Sequence, residues 1–312
     1  MEQDTAGDPI TGLKWTHKTT EKIAQQLQFV GIQVGRSTVA RLLDDLDYAL
    51  RVNQKKRAGA SSPDRNEQFL FIQDMRRRFQ RQGNPIISVD AKKHELIGNF
   101  KNAGCKWSSS PEQVNDHDFP SLASGKGIPY GIYDPQANRG VVFVGVSHDT
   151  STFAVSSIRS WWCWEGRHHY AHANKLLILA DAGGSNSVTN GVWKEQLQSR
   201  LCDPLGLSVT VCHYPTGTSK WNPIEHRLFS QISKNWAGEP LRTYETMLNF
   251  IRTTTTKTGL RVKAYLDRRD YPKGLKVSED CLSSHHLSRP SAPLELHLGS
   301  QNVKLFLVQY NT

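Results

Sequence analysis

The apolar positions of this chain change period along its length. From residue 13 to residue 50 the period is helical. In "TTEKIAQQLQFVG" (19–31) Ile23, Ala24 and Leu27 form one inward stripe, with Thr20 placed to cap the helix and Gly31 to end it. "GRSTVARLLDDLDYAL" (35–50) repeats the pattern, with Val39, Leu42, Leu43 and Leu46 inside, Arg36 and Arg41 outside, and Ser37 or Thr38 as the cap. Two capped helices joined through a glycine-containing turn predict either an ordinary helical hairpin or a helix-turn-helix, whose second helix enters a DNA major groove. Residues 51–66 are polar and basic with Gly, Ser and Pro, which predicts a linker. "NEQFLFIQDMRRRFQRQG" (66–83) returns to helical spacing, with Phe69, Ile72, Met75 and Phe79 on a core-facing side.

Beyond residue 84 the apolar runs shorten and predict strands at 84–90, 95–100, 129–134, 140–149, 175–181 and 207–215. Helices are predicted at 152–164, 190–201 and from 222 to 233. A cluster of strands followed by strand–helix alternation implies an α/β domain over 67–280, a mixed sheet flanked by helices, preceded by a small helical module at 1–50. Residues 281–312 form a separate tail whose "VKLFLVQY" reads as an apolar edge strand able to promote association.

Charge adds a partner class. The 312 residues carry 39 Lys and Arg against 29 Asp and Glu, a net +10, which suits a polyanion such as nucleic acid. The excess peaks between 51 and 82, where Lys55, Lys56 and Arg57 stand in a stretch that serves either as a solvated tether or as a phosphate-contacting strap. Five widely spaced cysteines without a C-x-x-C pair indicate neither a disulfide framework nor a zinc finger. No apolar run is long enough for a bilayer, and the start has no signal-peptide core, so a cytoplasmic, nucleoid-associated protein is expected.

Three carboxylates stand at element ends. Asp90 closes the first strand of the large domain, Asp181 closes a later one before "AGGSNS", and Glu225 lies in the first turn of a helix that Asn222 can cap and Pro223 can open. Singly, each fits a turn, a cap or a dipole partner. Together, neighbouring strand ends and an adjacent helix can bring all three to one sheet edge, the oxygen-rich setting that Mg²⁺ or Mn²⁺ requires for two-metal phosphodiester chemistry.

Here the segments "PIISVDAKKHELIGNFKNAG" (85–104), "IPYGIYD" (128–134), "GVSHDTSTFAVSSIRSWW" (145–162), "LLILADAGGSNS" (176–187) and "VCHYPTGTSKWNPIEHRLFSQIS" (211–233) resemble, in order, the Rhodopirellula-type DDE transposases, the ISAzo group of bacterial insertion sequences. The resemblance covers roughly residues 8–280, and "NPIEH" is also similar to the Tc/mariner-like superfamily. It implies a ribonuclease-H-like domain that cleaves and joins DNA strands with Mg²⁺ or Mn²⁺, acting on element ends and target DNA as a homodimer or larger assembly. By motif it implies Asp90 in "SVDAKK", Asp181 in "ADAGGSN" and Glu225 in "NPIEH" as catalytic metal ligands, with Gly183 and Gly184 leaving room for DNA backbone. It also makes the N-terminal helix pair an end-recognition helix-turn-helix, with Arg36, Ser37, Thr38 and Arg41 as candidate contacts.

Lys92, Lys93, Lys101 and Lys220 are placed either for phosphates or for solvent, and Trp221 either to stack on an unpaired base or to pack in the core. His168, His169 and His172 in "RHHYAH" read as an exposed polar loop rather than a zinc pair, Asp134 as a hairpin-turn residue, and Asp149 as a helix cap or an auxiliary acid. Relative to the family, further helical sequence is expected before this segment and a different ending after about Leu282. The alternative function is therefore a catalytically idle DNA-binding remnant acting as a repressor.

Overall fold

The computed structural model describes residues 5–7, 14–16, 18–48, 65–187, 189–277, 287–288 and 307–310. The chain divides into two units, Met1–Ala58 and Gly59–Thr312. Lys55, Lys56 and Arg57 lie outside the described residues, as does the expected linker up to residue 64.

In the first unit a short antiparallel pair, β1 (Thr5–Gly7) and β2 (Lys14–Thr16), precedes helices α1 (Thr20–Phe29) and α2 (Arg36–Asp45). The cap of α1 is Thr19, not Thr20: Thr19 has the extended backbone a cap requires, and its hydroxyl accepts the Lys22 N–H at 3.3 Å. α2 begins one residue after Gly35 with no side-chain cap, so Ser37 and Thr38 lie inside its first turn. Ile23, Ala24 and Val39 form the buried contact, flanked by Leu27, Val34 and Leu43. Leu42 and Leu46, expected inside, are 44% and 67% exposed. One partner helix covers only a narrow stripe, and Val39 and Leu43, four residues apart, occupy it.

The second unit opens with α3 (Arg65–Arg81), whose Ile72 and Phe79 are buried. A nine-stranded sheet follows, in the order β10-β11-β8-β7-β3-β5-β6-β9, with β4 paired to β5. Its centre is β3 (Ile86–Ala91), antiparallel to β5 (Gly125–Asp134) and parallel to β7 (Lys175–Asp181). β4 (Glu95–Ile97) and β6 (Arg139–Gly145) flank β5, and β8 (Ser208–Tyr214) runs parallel beside β7. All six expected strands are present. Strand β9 (Arg261–Asp267), parallel to β6, was not foreseen, nor was α9 (Tyr244–Arg252) before it. At the other edge β10 (Leu287–Ser288) pairs β11 (Leu307–Tyr310), which runs antiparallel to β8, so the expected tail strand pairs within the chain.

Period-2 alternation sorts the sheet into two faces. On one, Ile87, Val89, Ile178 and Val211 pack against α4 (Ser151–Trp161) and α6 (Gly191–Leu197). α4 runs on through a π-helical turn, Trp162–Gly166, into α5 (Arg167–His169); α6 does so through Gln198–Cys202 into α7 (Asp203–Leu205). On the other face α3 covers Ile86, Leu177 and Leu179, while Tyr133, Val142 and Val262 pack beneath α8 (Ser230–Asn235) and α9. This is the expected helix–sheet–helix sandwich of ribonuclease-H-like order.

Candidate active site

β3 and β7 run parallel with Val89 opposite Ala180, so the next residues, Asp90 one short of the end of β3 and Asp181 at the end of β7, stand at the same level on adjacent strands. Both follow buried apolar runs, and both share the face that α3 and the Glu225 helix cover. Glu225 starts a π-helical turn, Glu225–Phe229, that leads into α8. Asp90 and Glu225 act on each other, and Asp181 acts electrostatically on both. The structure thus brings together the three acids picked out by motif.

Gly131 makes the approach possible. It is the register partner of Asp90, and a Cβ there would stand 2.5 Å from Phe229 Cε1 and 2.8 Å from Ile224 Cδ1. The glutamate-bearing helix therefore lies against bare backbone beside the first aspartate.

Asn222 does not cap this helix with its side chain. Its Nδ2 donates to Asp181 Oδ1 at 3.0 Å and to Val89 O at 3.4 Å, while its Oδ1 accepts from Ser88 Oγ. The Ser88 hydroxyl in turn accepts the Ile224 N–H at 3.1 Å, so strand β3 supplies the helix cap. Ser88 and Asn222 are both fully buried. Sequence reasoning passed over Ser88, although its place two residues before Asp90 puts it on the same face.

The loop after Asp181 is pinned. Asn186 Oδ1 accepts from Tyr130 Oη at 2.7 Å, its carbonyl meets His213 Nε2 at 2.8 Å, and Ser185 O accepts from Ser151 Oγ at 2.7 Å. Gly184 has φ +67°, and a Cβ on either Gly183 or Gly184 would meet open space.

Electrostatics follow from crowding. Burial first, then Asp181, pushes the Asp90 carboxyl up to about 8, with Glu225 and Asp149 adding to the rise and the Ala91 N–H opposing it. Burial also raises Asp181, against the Asn222 donor, and burial and Asp181 raise Glu225. Among the described residues no three His, Cys, Asp or Glu side chains form a ready-made metal cage. Asp149 is not the cap of α4, since Thr150 accepts the Phe153 N–H at 3.3 Å.

The basic candidates divide. Lys92 Nζ is 2.9 Å from Glu95 Oε1 and 4.6 Å from the Trp236 ring centre, with its side chain 12% exposed, so it acts on Glu225 from within the fold. Lys93, Lys101 and Lys220 are exposed. Trp221 is 56% exposed and meets Phe69 edge-on, partly packed and partly open. Arg36, Ser37 and Arg41 stand exposed on α2, and Thr38 is half-buried. His168, His169 and His172 are exposed, and Asp134 holds its hairpin turn through the Gln136 and Ala137 N–H groups.

A ribonuclease-H-like sheet with two strand-end aspartates and a helix-borne glutamate defines a DDE-type domain. The chain belongs to the family described as the Rhodopirellula transposase DDE domain, whose model matches residues 1–293, a wider span than the motifs alone suggested. Solved structures similar to it include the Mos1 transposase paired-end complex with left transposon end, at 13% identity and a TM-score of 0.45, covering 75% of this chain and 65% of that one. A pre-cleavage Mos1 transpososome is 12% identical, with a TM-score of 0.46 and coverages of 75% and 66%. The Mos1 mariner paired end complex with Mn is 14% identical, with a TM-score of 0.43 and coverages of 75% and 65%. This chain spans about 65% of the length of the first of these relatives. A search of curated proteins gave no match. Among the described residues no helix is long and apolar enough to cross a membrane.

Proposed function

We propose that this transposase-family chain cleaves DNA at element ends and transfers the freed strand to target DNA by in-line phosphoryl transfer, using Asp90, Asp181 and Glu225. The observation that carries the reading is the meeting of these three carboxyl groups, one of them raised to about 8 by burial and its acidic neighbours. Such a set of hard oxygen donors with surplus negative charge fits Mg²⁺ or Mn²⁺. When bound, the ions neutralise phosphodiester charge and activate the attacking oxygen.

The chain's own residues do the rest. Asn222 holds Asp181 Oδ1 in one orientation, and Ser88 holds Asn222. Burial and acidic neighbours raise both the Asp90 and the Glu225 carboxyl, so each has to lose its proton before it can act as a ligand. The glycine pair after Asp181 leaves the backbone of a DNA strand free to approach, and Lys220 and Trp221 flank the entrance from the glutamate side. The α1–α2 pair works as a helix-turn-helix that presents Arg36, Ser37, Thr38 and Arg41 to an element end, and two or more copies act together on paired ends.

The test is strand joining. The purified chain is incubated with labelled linear DNA and a supercoiled target in Mg²⁺, Mn²⁺ or EDTA. Joined products that require metal establish transfer. Nicked but unjoined products reduce the reading to a nuclease, and bound but uncut DNA reduces it to a repressor-like remnant.

A further inference from the structure

The row of β8 that faces α4 and α6 reads Val209, Val211 and then, by alternation, His213. His213 is only 3% exposed. A valine there would bury no polar atom, whereas an imidazole is costly in an apolar row unless it is bonded. Its Nε2 meets Asn186 O at 2.8 Å, and because a carbonyl only accepts, Nε2 carries the proton. Its Nδ1 is buried without a partner, so the ring makes that one hydrogen bond.

The same asparagine is held from the opposite side. Asn186 Oδ1 accepts from Tyr130 Oη at 2.7 Å, and both residues are fully buried. His213 lies on β8 and Tyr130 on β5, and the strands run in the order β8-β7-β3-β5. The two bonds therefore span β7 and β3, the strands that carry Asp181 and Asp90.

What they fix is an exposed stretch of backbone. Between Asp181, whose side chain Asn222 holds, and Asn186 stand Gly183 and Gly184, both exposed, where an added Cβ would meet open space. Adjacent glycines have more backbone freedom than any other pair, and here the chain is tied on both sides of them. Tying it beforehand removes the ordering that a bound strand would otherwise have to impose.

We infer that His213 and Tyr130 are positioning residues that, through Asn186, set the Gly183–Gly184 backbone in place for the DNA strand being cut. The inference rests on the DNA-cleaving reading above. Neither residue supplies a metal ligand, and Asp181 is fixed separately by β7 and Asn222. Losing the tether should therefore weaken DNA binding and spare metal binding.

Hydrogen exchange of the full chain tests the tether itself, and steady-state nicking tests its use. The variants are Tyr130→Phe, which removes one hydroxyl, His213→Leu, which removes the donor, and His213→Gln, which keeps a donor on a side chain of similar reach. Tyr130→Phe and His213→Leu should each speed amide exchange across residues 182–187 by roughly tenfold. They should raise KM for DNA by roughly tenfold, with kcat changed by less than about twofold. Mn²⁺ affinity measured by calorimetry should stay the same, and His213→Gln should recover most of the loss. Unchanged exchange across 182–187 in the folded variants, or a fall in kcat or Mn²⁺ affinity in place of the rise in KM, would overturn the positioning role. Tyr130→Phe decides the matter if His213→Leu does not fold. A wild type that binds duplex without nicking it removes the catalytic reading and leaves the tether, which is then read from exchange and from a matching loss of duplex affinity. Nicking with unchanged exchange in the variants does the reverse.

Discussion

Asn222 donates a hydrogen bond to Asp181 Oδ1 at 3.0 Å across 41 residues of sequence, and the same side chain is gripped by Ser88, two residues before Asp90. One buried amide thus ties together both aspartate strands and the start of the glutamate helix. Replacing it leaves Ser88 Oγ and Asp181 Oδ1 without that partner. Asn222→Ala should lower stability by about 1–3 kcal/mol and metal-dependent nicking by roughly 10–100-fold. Ser88→Ala should act in the same direction, and the double variant should cost less than the sum, because the two residues share one network. Thermal unfolding and nicking rates across the four proteins check this; additive losses would separate Ser88 from the site.

The Asp90 carboxyl gives metal-free protein a characteristic pH dependence. Its folded value of about 8 lies above the ordinary 3.8, so the native state holds a proton that the unfolded state releases. The associated stability is full below about pH 4 and is lost as pH rises through about 8. In EDTA, wild type should lose on the order of a few kcal/mol across that window, and Asp90→Asn should flatten the loss. Melting curves from pH 5 to 8.5 measure it. A slope unchanged by the substitution would place the proton elsewhere.

Gly131 is where the glutamate helix presses on the sheet. Gly131→Ala forces Phe229 or Ile224 to move and should cost about 1–3 kcal/mol. Because the displaced helix carries Glu225, nicking should fall further than the stability loss explains. Nicking measured well below the variant's Tm separates the two effects.

Much of this site was legible because each acid sits at a punctuation mark in the sequence. Asp90 and Asp181 end apolar runs, and Glu225 follows "NP". Their convergence needed only adjacent parallel strands, which strand–helix alternation supplies. The Ser88–Asn222 bridge was not legible, because it depends on how the loop from Pro215 to Trp221 returns the chain to β3, and no periodicity records that path. In β9 the signal was present and overlooked: Arg261 and Lys263 face out while Val262 and Ala264 face in. Leu42 and Leu46 misled for the opposite reason, since apolar spacing marks a helix face but not whether anything covers it.

On α2, Arg36 and Arg41 are exposed five residues apart, about 1.4 helical turns. If each meets a DNA phosphate, replacing either by Ala should weaken binding to all sequences and lower the salt dependence of the binding constant by about one ion in slope. Titrations of labelled duplex at several salt concentrations measure this. An unchanged slope in both variants removes α2 from the interface.

The most direct test of the central claim is nicking of supercoiled DNA by wild type and by Asp90→Asn, Asp181→Asn and Glu225→Gln, each in Mg²⁺, Mn²⁺ and EDTA and each shown to be folded. Three acids acting as one site predict metal-dependent nicking by wild type and none by any single variant. Wild-type nicking that persists in one of the folded variants would contradict that residue's assignment, and persistence in all three would contradict the site.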